Sequence, residues 1–224
     1  MEAAESSRRS VVEGLRPTLF VTLRTDVRQS SHGSTPGAVQ EYLASVHVEW
    51  SPDDGPDVDL AALSTLAHVD AATYLPELSR LLPETLIMPV GNGRLVTADL
   101  RSESCWDGLS ALGLDVALVG EALLGEHFEL AELTAEMELV HGRAVIVNSM
   151  EISPDWRGAE YGLLATELAL RELGRCADVA ALYPMQPDLA DLDERAAANR
   201  ALSQYWARLG FVDFNGIMAL ALHQ

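Results

Sequence analysis

No run in this sequence approaches the ~20 consecutive apolar residues that a membrane-spanning helix needs. The first twenty residues, MEAAESSRRSVVEGLRPTLF, place acids ahead of their arginines and hold no unbroken apolar stretch. Neither a membrane anchor nor a secretory signal is expected, and a cytoplasmic protein is. Cysteine is equally scarce: Cys105 and Cys176 stand far apart, in no CxxC or metal-binding spacing, which fits two reduced thiols. Positive charge is short as well. Fifteen Lys and Arg face 34 Asp and Glu, for a net charge of −19. A broad surface for nucleic acid or an anionic membrane needs clustered cations, so neither partner is expected. A small anion held by a few oriented backbone amides stays open, and acidity also serves solubility. His47, His68, His127 and His141 show no HxH or HExxH spacing, so no metal site is expected. No serine lies in a GxSxG elbow.

What the sequence does have is a core. With 48% hydrophobic residues over 224 positions, it suits one domain over 17–224, following a flexible N-terminal segment over 1–16. LFVTLRTDV and ASVHVEW alternate apolar and polar residues as paired strands do. The Ser-, Pro-, Gly- and Asp-rich stretches 28–37 and 51–59 read as loops. Helical spacing runs from Asp59 to Leu82 and from Cys105 to Leu124, and ETLIMPVGNGRLVTADL between them reads as two short strands about Gly-Asn-Gly. TAEMELVHGRAVIVNSMEIS reads as a hairpin turning at His141-Gly142. A helix, the strand VAALYPMQ, a helix of roughly 17 residues and two short strands about Asn215-Gly216 follow. The second half is thus β-β-α-β-α-β-β, an α/β layered arrangement.

One segment of that half carries chemistry. ISPDWRGAEYGLLATELALREL, Ile152 to Leu173, is a strand end, a proline, an Arg-Gly turn and an apolar helix. The first-turn amides of a helix have no intrahelical acceptor, and the helix dipole favours negative charge there. Such a turn can cradle a diphosphate, with Gly158 permitting close approach and Arg157 able to pair with a phosphate. A strand–helix–strand unit places it at a strand's C-terminal end, where ligands tend to bind. Many β–α turns contain glycine for conformational reasons alone, so this stretch also reads as an ordinary turn.

Taken with its surroundings, the segment resembles the GNAT superfamily of N-acetyltransferases. That family's signature is a strand ending in apolar-x-Pro, then Arg/Gln-x-x-Gly-x-Gly/Ala, then an amphipathic helix. MEISPDWRGAEYGLLATEL matches it, with Arg157 in the first motif position and Gly162 in the last. Asn199, the stretch RALSQYWARLGF ending at Gly210-Phe211, and the terminal IMALAL add to the likeness, which covers Thr134 to Leu222. The resemblance implies a mixed, mostly antiparallel central sheet flanked by helices, with a splayed strand pair. It implies acetyl-CoA as co-substrate, no metal, a small-molecule or peptide amine as acceptor, and direct acyl transfer; it is compatible with a homodimer.

By the same resemblance the backbone of Met150, Glu151 and Ile152 meets the pantetheine arm. The N–H groups of Arg157, Gly158, Ala159, Glu160, Tyr161 and Gly162 hold the phosphates, and Asn199 reaches the cofactor from the later helix. Glu151, alternating with Ser149 and Val147 on its strand, reads either as the general base or as a solvated strand residue; Glu136 and Glu138 read similarly. The sequence departs from the family at two positions. Glu160 stands where the family has its middle glycine, and Trp206 stands where it has an acid tyrosine, leaving the adjacent Tyr205 as the candidate acid. A non-catalytic relative serving as a binding or assembly module with weakened CoA binding is the alternative. A nucleotide-binding α/β protein using the loop without CoA is a third reading. Trp50, Trp106 and Trp156 are expected to pack in the core or along a cleft.

Overall fold

The computed structural model of the chain describes residues 18–26, 38–50, 86–125, 140–158, 160–185 and 191–222. The N-terminal segment 1–16, the loops 28–37 and 51–59, the helix expected over 59–82 and the first strand of the hairpin lie outside these residues. So do Glu136, Glu138, His68, His127 and Ala159.

The elements are β1 (Thr18–Asp26), β2 (Val39–Trp50), β3 (Leu86–Asp99), α1 (Cys105–Ser110), α2 (Leu114–Leu124) and β4 (Arg143–Ile152). After them come α3 (Tyr161–Leu173), β5 (Val179–Leu182), α4 (Leu192–Ala207), β6 (Val212–Phe214) and β7 (Ile217–Ala221). The strands form one seven-stranded sheet in the order β1-β2-β3-β4-β5-β7-β6. It is a mixed, mostly antiparallel sheet flanked by helices, as expected. β4 and β5 are the parallel pair, and β5–β7 and β6–β7 are antiparallel.

The described residues fall into two compact units, with β1, β2, β3, β4 and α3 contributing to both. One holds 18–23, 44–50, 86–93, 150–158 and 160–168. The other holds 24–26, 38–43, 94–125, 140–149, 169–185 and 191–222.

The core of the second unit follows from helical and strand periods. On α2, Val116, Val119, Gly120, Leu123 and Leu124 are buried, the i, i+3, i+4, i+7, i+8 set of one helix face. They join Leu109 of α1 with Val96, Ile146, Val179 and Ile217 of the sheet. Each fully buried leucine or isoleucine contributes ~1.5–3 kcal/mol relative to exposure. Gly120 lets the two helices touch, because a Cβ there would lie 2.8 Å from Leu109 Cδ1. All four residues of β5 and the run Ala144–Val147 of β4 are buried, as strands covered on both faces are. In the first unit Val46, Val48 and Val90 pack with Trp156, Tyr161 and Ala165.

Two expectations are corrected. The stretch about Gly91-Asn92-Gly93 is not a turn between short strands: β3 runs unbroken for 14 residues through it. Neither glycine has positive φ. Gly91 is instead a point of close approach, since a Cβ there would collide with the Glu151 carbonyl and lie 2.8 Å from Ile152 Cδ1. The helical stretch from Cys105 to Leu124 is two helices, broken at Gly113, whose φ of 137° no helix accommodates. The Asn215-Gly216 hairpin does form, with φ of 50° and 80°, the left-handed pair a tight two-residue turn requires. α4 starts where Asp191 caps it, accepting from the N–H groups of Asp193 and Glu194, both at 2.9 Å.

Candidate functional site

Among the described residues the parallel register of β4 with β5 runs from Ala144–Val179 to Ile146–Ala181. β4 itself continues six residues further, to Ile152. On its other side it stays beside β3, where the Ser153 N–H donates to the Val90 carbonyl at 2.8 Å. Past the strand the chain makes one short turn of 3₁₀ helix, Pro154–Trp156. It is closed by N–H donation from Trp156 to Ser153 and from Arg157 to Pro154. The Arg157 amide is thereby committed within the turn. Its Nε donates to the Ile152 carbonyl at 2.9 Å, tying the loop to the strand end, and the residue is exposed.

Trp156 is the loop's anchor. It is 5% exposed and its ring lies 6.0 Å from that of Tyr161, with Met150 and Ile152 packed on the same cluster. Burial raises the Tyr161 hydroxyl's pKa above its usual 10.0, so at neutral pH it stays protonated and serves packing. Gly158 has φ of 94° and Glu160 φ of 62°. Left-handed backbone is routine for glycine and uncommon for glutamate. Glu160 is exposed, and its carbonyl accepts from the Leu164 N–H as the first bond of α3. The first-turn amides of α3 lack intrahelical acceptors by helix geometry, and that turn holds no acidic residue of its own.

The structure therefore brings Met150, Ile152, Arg157, Gly158, Glu160, Tyr161 and Gly162 into one unit. Glu151 is exposed on β4. Asn199, Tyr205 and Trp206 belong to α4 in the other unit, Asn199 and Tyr205 half-buried. Trp206 is 8% exposed and stacks edgewise between Phe211, at 6.3 Å, and Tyr205, at 5.1 Å. It is a packing residue, as Phe211 is. Both cysteines are free; burial, with the nearby Asp99 charge, pushes the Cys105 thiol up to about 11, which makes it inert. Among the described residues no group of His, Cys, Asp or Glu has the arrangement to hold a metal. No helix there is long and apolar enough to cross a membrane.

Asp178 gave no signal in the sequence. Immediately before β5, 2% exposed, it accepts from the N–H groups of Val140, His141, Gly142 and Arg143 at 2.6–3.2 Å. Its donors lie 35–38 positions away, a distance no local pattern reveals. The other unheralded feature is a cavity of about 390 Å³ in the second unit, bounded by α2, Tyr183 and the Asn215-Gly216 turn.

No protein-family model, curated protein or solved structure matches this chain.

Proposed function

We propose that this protein is a GNAT-like acyltransferase that moves an acetyl group from acetyl-CoA to a small-molecule or peptide amine. The observation that carries the reading is the backbone at Glu160. The chain holds φ of 62° there, left-handed backbone of the kind that suits the glycine the resembling family has at this position, although glutamate pays about 1–2 kcal/mol for it. A loop with no ligand to shape it has little reason to retain that strain. The sheet adds support: one parallel pair in a mostly antiparallel sheet, with β4 running past its registered partner just ahead of the loop.

In this reading the diphosphate rests on the amides from Gly158 to Gly162, with the terminal nitrogens of the Arg157 guanidinium beside it. Bound acetyl-CoA supplies the thioester. The acceptor nitrogen attacks its carbonyl, and exposed Glu151 takes the amine's proton, directly or through water. Trp206, packed on Phe211, donates no proton, so the thiolate leaves without help from that position. That same observation favours a second reading, a non-catalytic module that keeps the fold and binds CoA weakly.

Calorimetric titration of acetyl-CoA onto the full chain tests the proposal. Micromolar binding, about −8 kcal/mol, is the expected outcome, and absence of binding would sink it. Transfer of labelled acetyl to added amines then separates enzyme from module. The chain contains no lysine, so label on its own side chains does not confound that assay.

A further inference from the structure

We propose that the cavity at the C-terminal end of α2 is a binding site for a small organic cation, a primary ammonium carried on an apolar body. Binding itself is independent of the acyltransfer reading; only the ligand's part as acyl acceptor rests on it.

The cavity holds about 390 Å³, within the range of small-ligand sites. α2 supplies its apolar wall and its charge from one face: Leu118, Glu121 and Ala122 line it, and i, i+3 and i+4 share a helix side. Ile217 at the start of β7 closes the apolar part. Tyr183, directly after β5, and Asn215, in the turn before β7, bring the remaining polar side chains. Among the described residues neither an ion pair nor a side-chain hydrogen bond engages Glu121, Tyr183 or Asn215. Three residues whose side chains can bind polar atoms thus line one space, although the Tyr183 ring also packs against the core and Asn215 also shapes its turn.

The sign of the ligand follows from α2. The C-terminal carbonyls of a helix carry negative partial charge and are stabilised by cations. Here the last turn has no basic residue and holds Glu121 instead, whose carbonyl receives the Gly125 N–H at 2.7 Å. Gly125, which ends the helix, also lines the cavity. A carboxylate at the negative end of a helix is unfavourable for the helix alone and favourable for a cation seated beside both. The Tyr183 hydroxyl and the Asn215 carbonyl oxygen accept the ammonium's remaining hydrogens. The chain's charge of −19 draws such a ligand in.

The test is titration of phenethylammonium onto the full chain without acetyl-CoA, followed by amide NMR, with phenethyl alcohol as the uncharged control. Saturable binding is expected, with the alcohol at least roughly tenfold weaker, as loss of a charge-assisted bond implies. Glu121→Gln, a surface change, is expected to weaken the ammonium by a similar factor and leave the alcohol unchanged; Tyr183→Phe is expected to weaken it a few-fold. Equal binding of ammonium and alcohol, equal affinity in Glu121→Gln, or shifts away from residues 118–125, 183 and 215–217 would overturn the proposal. Failure here with intact acetyl-CoA binding leaves the acyltransfer reading standing, and the converse result leaves this site standing.

Discussion

Asp178→Asn is expected to lower the unfolding free energy by about 3 kcal/mol and the melting temperature by roughly 10 °C. The carboxylate is the shared acceptor for four consecutive backbone N–H groups, the tightest from Gly142 at 2.6 Å. Asparagine keeps one acceptor oxygen and turns an NH2 toward donors, so some buried N–H groups lose their partner at ~1–3 kcal/mol each. The anchored segment also holds Gly142 at φ of 68°, whose carbonyl receives the Leu100 N–H at 2.8 Å. The Asp178 carbonyl in turn receives the Leu222 N–H at 2.9 Å. The side chain therefore holds the entry to β4, which in turn meets the end of β3 through Gly142, while the backbone of the same residue holds the last strand.

The same residue gives stability an acid dependence of known sign. Burial, the largest single influence, pushes the carboxyl's pKa up, and the four N–H donors together pull it down further, for a net value below the ordinary 3.8. A carboxyl with a lowered folded-state pKa contributes stability that is complete above its unfolded value, ~4. That contribution is lost as pH falls through the folded value, because the unfolded chain binds the proton first. Other acids of this chain titrate in the same window, so the readout is a difference. The stability gap between wild type and Asp178→Asn is expected to be constant from about pH 5 to about pH 7 and to shrink below about pH 4. A gap that widens on acidification would show that the carboxylate is not held charged by those donors.

Glu160→Gly is expected to tighten acetyl-CoA binding about fivefold. A carboxylate about 7 Å from a diphosphate interacts with each of its charges by about 0.6 kcal/mol in water, and salt reduces the sum to about 1 kcal/mol. That is near a fivefold change in affinity. Glu160→Gln removes the charge and keeps the strained backbone, and is expected to yield most of the same gain. If both variants bind as the wild type does, the side chain faces solvent and the loop tolerates it. A gain in the glycine variant alone would assign the defect to backbone freedom or bulk rather than charge.

How far these features were legible depends on how local their causes are. The Asn215-Gly216 hairpin follows from residues within a few positions and could be read directly; the Asp191 cap of α4 is as local, but only the structure showed it. Gly-Asn-Gly in β3 carried the signal of a turn, but its glycine answers to the Glu151 carbonyl of the next strand, which only the assembled sheet brings near. Gly113 broke a helix whose apolar period was otherwise continuous. The position of the Arg157–Gly162 loop was legible from its strand, proline and helix; the left-handed backbone of Glu160 was not, because its side chain argues against it. Asp178 and the cavity of Glu121, Tyr183 and Asn215 join residues far apart in the chain, with no spacing to announce them.

The central claim is that backbone amides of the loop, rather than cationic side chains, hold the acetyl-CoA diphosphate. Amide NMR of the full chain during titration with acetyl-CoA tests it most directly. The largest shifts are expected at the N–H groups of Gly158 and of Glu160 through Leu163, with the Arg157 amide, committed to Pro154, moving less. Saturable binding with those amides unmoved, or no binding at all, would contradict the account.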